Sequence, residues 1–143
     1  MTAYVRKMLE EFPIKFNNDS SQSTPGGVDM FSKDESKPLN DNEREAFHKM
    51  TAQGLFLGKR GQPDLQPIIS VLCTRVKRPG RNDWRKLVRM MKYLYCTRND
   101  VLTIDARNGV HRIEWSIDSA FGVHPDFKSH VRAIMQFGRD EEQ

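Results

Sequence analysis

Two kinds of side chain in this sequence suggest chemistry: a group of cations at helical spacing, and one aspartate at the end of an apolar segment. Arg85, Arg89 and Lys92 recur at i, i+4 and i+7, with Lys86 beside them, so a helix would present them along one side. Such a basic ridge on a rigid helix suits the phosphates of a polyanion. Asp118 lies where a carboxylate either caps a turn or binds a ligand.

The charge of the chain is concentrated around this ridge. Residues 59–98 contain 11 Lys or Arg and two Asp or Glu, a net charge of +9, whereas the whole chain carries +4. The pI near 9.2 therefore describes one patch. We predict a nucleic-acid partner that contacts this patch through its phosphate backbone; the alternative is an ordinary solvated helix face.

Other catalytic patterns are weak. The sequence has no Gly-rich phosphate loop, no Ser or Cys nucleophile motif and no Cys/His zinc spacing. His124, Asp126 and His130 are candidates for a metal cluster, but Pro125 and the loop-like context argue against one. A lone carboxylate such as Asp118 cannot hold the two magnesium ions of in-line phosphodiester cleavage, which needs several acidic ligands. We therefore predict no cofactor and no enzyme activity for this chain as it stands.

Two amphipathic helices joined by a Pro-Gly turn must position the ridge. The first begins near Pro63 and has an apolar stripe at i, i+3, i+4, i+7 and i+11, formed by Leu65, Ile68, Ile69, Leu72 and Val76. The second is predicted to be capped by Asn82. Its predicted buried face consists of Trp84, Leu87, Val88, Met91 and Leu94 or Tyr95.

Four segments follow from the patterns along the chain. Residues 1–12 are predicted to form a short helix, and residues 13–40 a flexible linker with a brief contact at Val28, Met30 and Phe31. Residues 41–98 form the helical segment, which opens at Asn40 or Asp41 and in which Gly54 indicates close helix packing.

The remaining segment, 99–143, changes to a strand period. Alternation over 101–105 and 111–117 surrounds Asn108-Gly109, a strong hairpin turn signal, and 129–137 supplies a further candidate strand. The predicted fold class is therefore α+β, with three or four helices followed by a short antiparallel β unit.

The cysteines and the hydropathy of the sequence indicate the cellular compartment of the protein. Cys73 and Cys96 are predicted to be small core residues of a reduced intracellular protein, since they lie in separate predicted helices and have no metal-type spacing. The chain has no apolar run long enough to cross a membrane, and its first residues are too charged for a signal peptide. We predict an intracellular protein, cytoplasmic or nuclear, that is not secreted and has no membrane partner.

Several short motifs follow one another in the same order as in Ty1/copia-type retrotransposon reverse transcriptases, which the sequence resembles in the region after the polymerase palm. They are FHKM at 47–50, LFLGKR at 55–60, TRVK at 74–77, DWRKL at 83–87 and RMMKYL at 89–94. The segment WSIDSAFGVHPD at 115–126, with KSH at 128–130, resembles the first strand and turn of that family's RNase H domain. The similarity spans roughly residues 47–130.

The resemblance implies roles for these residues. Residues 41–98 would be the thumb-like and connection segment that holds the template–primer duplex, and 99–143 a truncated start of an RNase H-like fold. Asp118 would correspond to the first magnesium-binding carboxylate, a catalytic position in the intact family, whose cofactor is Mg²⁺. Other parts of the Pol polyprotein would be further partners.

Departures from the family pattern imply loss of catalysis. No Asp-Asp pair occurs, so the polymerase motif is missing, and the later RNase H carboxylates are missing too. Gln62 replaces an arginine, Cys96 a glycine, and Val131-Arg132 a Thr-Gly pair. We expect a fragment that at most binds template–primer nucleic acid. The alternatives are a host-retained nucleic-acid-binding module, or a structural piece that needs the palm or the rest of RNase H to fold.

Overall fold

Four helices and two antiparallel strands make up the described parts of the chain in the computed structural model, which describes residues 1–17, 21–32, 35–102, 113–122 and 129–137. Residues 1–102 and 103–143 form two separate compact units. The elements are α1 (Thr2–Glu11), α2 (Asp41–Arg60), a 3₁₀ turn (Pro63–Leu65), α3 (Gln66–Arg75), α4 (Arg81–Cys96), β1 (Ile113–Ala120) and β2 (His130–Phe137). The α+β class predicted from the sequence is confirmed.

All four helices contribute to one hydrophobic core in the first unit. The predicted stripe from Leu65 to Leu72 is buried, and Val76 packs at its edge. Close packing of such side chains supplies most of the favourable free energy of folding. The core residues are Val5, Met8, Phe12, Leu39, Phe47, Met50, Leu57, Leu65, Ile68, Ile69, Leu72, Leu87, Met90, Met91 and Leu94.

The start of α2 is capped as predicted and is tied to the start of α4. The Asn40 side chain accepts from the Glu43 backbone N–H at 2.9 Å, while the Glu43 carboxylate accepts from the Asn40 N–H at 3.2 Å, a capping box. The Arg81 guanidinium donates to the other Glu43 oxygen at 2.5 Å. That hydrogen bond is the main cause of the lowered pKa of Glu43.

The cap of α4 differs from the prediction. Gly80, not Asn82, is the N-cap residue, and the Asp83 carboxylate accepts from the Gly80 N–H at 3.1 Å. The Asn82 backbone N–H instead donates to the Ser36 hydroxyl at 3.0 Å. The prediction of Asn82 was wrong because Asp83, at the third helical position, reaches back to the backbone of the preceding turn.

The buried face of α4 is rotated relative to the prediction. Leu87, Met91 and Leu94 are buried as expected, but Asp83, Lys86 and Met90 are buried with them. Trp84 is only partly buried and stacks on Phe12, the residue that follows α1, with ring centroids 5.7 Å apart. Cys96 is exposed, which corrects its prediction as a core residue; Cys73 is partly buried.

The segment predicted as a linker runs alongside α4 in the opposite direction. We call residues 24–32 and 35–39 the strap. At its far end Leu39 is buried, and its N–H donates to the Pro79 carbonyl at 3.1 Å. Met30 packs against the core as expected, whereas Val28 is fully exposed. These contacts correct the expectation of a connector with only one brief contact.

Tyr93 joins the other end of α4 to the 3₁₀ turn. Its hydroxyl donates to the Asp64 carboxylate. Burial, followed by this hydrogen bond and the nearby negative charge, raises the pKa of Tyr93 to about 12. The phenol therefore remains a donor at neutral pH, and both ends of α4 are held by polar contacts.

The described residues of the second unit form a two-stranded hairpin. β1 and β2 pair antiparallel, with Trp115 opposite Met135 and Asp118 opposite Arg132. The predicted strands at 111–117 and 129–137 are thereby confirmed in the parts described, but β1 continues for two residues beyond Asp118, so that aspartate is not at the strand end. The predicted turn at Asn108-Gly109 lies outside the described residues. Among the described residues, no helix has both the length and the apolar character needed to cross a bilayer.

Gly54 lies where α2 packs closely against Ile69 of α3 and Met90 of α4, as the sequence predicted. A Cβ atom at Gly54 would lie 2.6 Å from Cδ1 of Ile69, whose side chain is 1 % exposed and cannot move easily. Gly58, one turn later and equally buried, has 3.6 Å of space around the same position.

We therefore expect opposite effects on stability when alanine replaces each of the two glycines. Gly54→Ala should lower the free energy of unfolding by about 1 kcal/mol, because overpacking of about 1–3 kcal/mol exceeds the gain in helix propensity of about 1 kcal/mol. Gly58→Ala should leave stability unchanged or raise it. Urea unfolding followed by circular dichroism measures both, and equal effects of the two substitutions would contradict the close packing at Gly54.

Candidate nucleic-acid interface

Three of the predicted ridge cations lie on the face of α4 opposite its core. Buried positions run from Asp83 to Leu94 on one side of the helix, and Arg85, Arg89 and Lys92 follow the other at i, i+4 and i+7. Arg85 is exposed, whereas Arg89 and Lys92 are half-buried. The rise of a helix places the Cα atoms of Arg85 and Lys92 about 10 Å apart along its axis.

Lys86 is the exception, and its predicted position near the solvent face was wrong. Its side chain is 4 % exposed, and its Nζ donates to the Ser32 carbonyl at 2.9 Å and lies 4.0 Å from an Asp83 carboxylate oxygen. A buried ammonium needs such partners, because removing it from water costs several kcal/mol. Lys86 therefore holds the strap against α4 and does not present its charge to solvent.

Arg89 is oriented by the strap while keeping its charge. Its Nη2 donates to the Thr24 hydroxyl at 2.9 Å, and a Cβ at Gly27 would lie 3.7 Å from the guanidinium. Within the described residues, the Arg89 Nε is buried without a hydrogen-bond partner. A neutral hydroxyl restricts the rotamers of the guanidinium without cancelling its charge, so part of the cost of ordering the side chain is met before a ligand binds.

The ridge differs in its partners from two other basic residues of this unit, Arg81 and Lys49. Arg81 pairs with Glu43, and Lys49 pairs with Glu11 at 3.1 Å, which contributes to the lowered pKa of Glu11. In the described part of the chain, no carboxylate lies within ion-pair distance of the three ridge cations. Arg85 instead donates to the neutral Asn82 side chain. Their charge is therefore available to an anion from outside.

Asp118 occupies a different kind of site. Its side chain is exposed on β1, two residues before the end of that strand, on the same strand face as Ser116 and Glu114. Among the residues that the structure describes, no group of three His, Cys, Asp or Glu side chains comes close enough to hold a metal ion. The candidate cluster of His124, Asp126 and His130 falls largely outside them.

Sequence reasoning missed the contribution of the strap. Thr24, Ser32 and Ser36 lie in a polar segment with few apolar residues, and nothing in their spacing indicates an approach to α4. The one available signal was the small apolar cluster containing Met30, which does pack on the core.

Comparisons with protein-family models, with curated proteins and with solved structures find no match to this chain. The resemblance to Ty1/copia-type reverse transcriptases therefore rests on the sequence motifs alone. It remains a prediction, as do the roles that it implies for Asp118 and for the helical segment.

The burial of Lys86 generates a test that separates structure from binding. Lys86→Met should lower the free energy of unfolding by about 3 kcal/mol, because it removes one partner of a buried ion pair. Lys92→Met, the same change on the same helix, should alter stability by less than about 0.5 kcal/mol. Chemical denaturation measures both, and similar stabilities would contradict the structural role of Lys86.

Proposed function

We propose that this chain is a non-catalytic nucleic-acid-binding fragment related to Ty1/copia-type reverse transcriptases, and that it contacts duplex phosphates through Arg85, Arg89 and Lys92. One observation carries the proposal: three cations share the outer face of a rigid helix and have no carboxylate partner among the described residues. A cation already paired within the protein gains little from a phosphate, whereas these three have no ion pair among the described residues that a phosphate would have to replace.

The chemistry of the three side chains favours backbone contact over base recognition. Guanidinium groups bind phosphate oxygens through two parallel hydrogen bonds, and Lys92 adds a point charge. Contacts of this kind orient a protein on a duplex without reading its sequence. The natural ligands would be an RNA–DNA hybrid or a DNA duplex, bound with weak sequence preference.

The core of residues 1–102 supports a binding unit that folds without the palm. Fifteen buried apolar side chains drawn from all four helices and the strap form one cluster. This favours a nucleic-acid-binding module over a structural piece that needs a missing domain.

The hairpin supports a relation to a larger sheet. Ile113, Trp115 and Ile117 on β1 are 54–69 % exposed on one face, and Met135 lies opposite Trp115. A two-stranded hairpin with an uncovered apolar face is marginal on its own. We propose that other parts of a Pol-type polyprotein cover this face in the intact family.

The proposed loss of catalysis has a direct assay. Purified protein with Mg²⁺ or Mn²⁺ should neither extend a primed template nor cleave RNA in a hybrid, because each reaction needs several carboxylates around the metal ions. Turnover by the purified chain that disappears in the Asp118→Asn variant would overturn this part of the proposal.

The salt dependence of duplex binding tests the ridge itself. Each neutralised phosphate releases condensed counterion, so three contacts on duplex DNA give a slope of log K against log salt of about −2.7. Replacing both Arg85 and Lys92 with glutamine should flatten this slope by about two units. Fluorescence anisotropy with a labelled duplex over a salt series measures the slope.

A control variant of equal charge separates the ridge from net charge. The double variant Lys7→Gln with Arg44→Gln also removes two positive charges. Lys7 pairs with Glu11 within α1, and Arg44 pairs with Asp41 within α2, so neither of these exposed pairs involves α4. Such pairs contribute little to stability. This control should retain most of the original slope. If both double variants flatten the slope equally, binding depends on overall charge and the ridge is only a solvated face.

A further inference from the structure

The helical unit also contains a pocket between α1 and the C-terminal end of α4, lined by residues other than those of the ridge. Its volume is about 300 Å³, within the range of small-molecule sites. We call it the α1–α4 pocket. The residues that matter for its chemistry are Arg6, Glu10, Lys15, Phe16, Tyr95 and Arg98.

One wall of the α1–α4 pocket is aromatic and is supported from behind. The rings of Phe16 and Tyr95 lie 6.0 Å apart at 51°. Phe16 stacks on the fully buried Phe12 at 5.9 Å, which restricts its motion. The Arg98 guanidinium lies 4.1 Å from the centre of the Tyr95 ring, a cation–π contact. Such a wall offers a planar ligand a stacking surface that is already ordered.

Three cations surround this wall, and their partners are neutral oxygen atoms. Arg6 donates to the Asn99 side-chain oxygen at 3.1 Å, and Arg98 donates to the Tyr95 carbonyl. Lys15 donates to the carbonyls of Glu10 and Phe12, the latter at 3.3 Å. These hydrogen bonds orient the cations without neutralising them. Among the residues that the structure describes, Glu10 is the one carboxylate that lines the pocket, so the described lining carries a formal charge of +2.

We propose that the α1–α4 pocket binds a nucleotide. The phosphate would lie among Arg6, Lys15 and Arg98, the base would stack on Phe16, and the Glu10 carboxylate would accept from an exocyclic amino group. Aromatic stacking beside cations is the usual way in which proteins hold an unpaired base. A simple inorganic anion would leave the aromatic wall unused, and a neutral aromatic molecule would leave the cations unused.

Two sources supply this chemistry: a free mononucleotide, or an unpaired nucleotide at the end of a strand. Binding of a free mononucleotide is independent of the proposed duplex binding, whereas binding of an unpaired strand end rests on it. The α1–α4 pocket and the ridge use different residues, so each can be removed without the other.

The direct test is titration of the full chain with adenosine 5′-monophosphate, with adenosine and inorganic phosphate as its two halves. Saturation-transfer NMR and calorimetry should show saturable binding of the nucleotide and much weaker binding of either half. Phe16→Leu keeps apolar volume but removes the ring, and Arg98→Gln removes a cation. Each should weaken nucleotide binding about tenfold, as expected when a stacking surface or a charged contact is lost.

A matched control uses the other aromatic–arginine pair of this unit. Arg60 lies 4.8 Å from the ring of Phe56 on the exposed side of α2. Phe56→Leu and Arg60→Gln should leave nucleotide affinity unchanged. Thermal melting checks that each variant is folded. If Phe16→Leu does not fold, the effect of Arg98→Gln alone decides the test. No saturable nucleotide binding, or equal losses in pocket and control variants, would overturn the proposal.

The two sources are separated with duplexes of equal length, one blunt and one with an unpaired 5′-phosphorylated nucleotide. Tighter binding of the overhang that is lost in Arg98→Gln assigns the pocket to a strand end. Equal binding of both duplexes, with mononucleotide binding retained, assigns it to free nucleotides. The Arg85→Gln and Lys92→Gln double variant should bind mononucleotide normally, so failure of the ridge and failure of the pocket give different results.

Discussion

A buried ammonium group determines how the helical unit is assembled. Lys86 is almost fully removed from water, and an isolated charge in that position would cost several kcal/mol. The Ser32 carbonyl on the strap and the Asp83 carboxylate one turn earlier on α4 compensate for this cost. Asp83 also accepts from the Gly80 N–H at the start of α4. The position of the strap, the first turn of α4 and the rotation of α4 about its axis therefore depend on one another.

That rotation divides four neighbouring cations into two kinds. Lys86 lies on the flank that faces the strap and serves the fold, while Arg85, Arg89 and Lys92 lie on the outer face. The net charge of +9 over residues 59–98 consequently overstates the exposed charge, because Lys86 is buried and Arg81 is paired with Glu43. What remains is a narrower basic face, in which the Thr24 hydroxyl orients Arg89. The functional proposal depends on this smaller set.

Local signals were sufficient to predict much of this fold. Helical spacing located α1 and the stripe of α3, Asn40 or Asp41 as the opening residue located the start of α2, and Gly54 indicated a close helix contact. The predictions that failed involve contacts between segments distant in sequence. Apolarity alone placed Trp84 on the buried face of α4, but it is only partly buried and stacks on Phe12, which follows α1. Lysine is rarely buried, and the approach of Ser32, together with Asp83 on the same helix, explains why Lys86 is. No local sequence pattern in a polar segment such as the strap predicts that it will approach a helix. The resemblance to a polymerase fragment did not predict this contact either.

The basic face is the central claim, and mapping the bound surface residue by residue tests it most directly. A ¹⁵N-labelled chain would be titrated with a short RNA–DNA hybrid at low salt, and amide shifts followed by two-dimensional NMR. The account predicts saturable shifts along Arg85, Arg89 and Lys92 and in the adjoining strap near Thr24, with none around the exposed His48 on α2. Shifts centred on α2, or no saturable shifts at any duplex concentration, would contradict it.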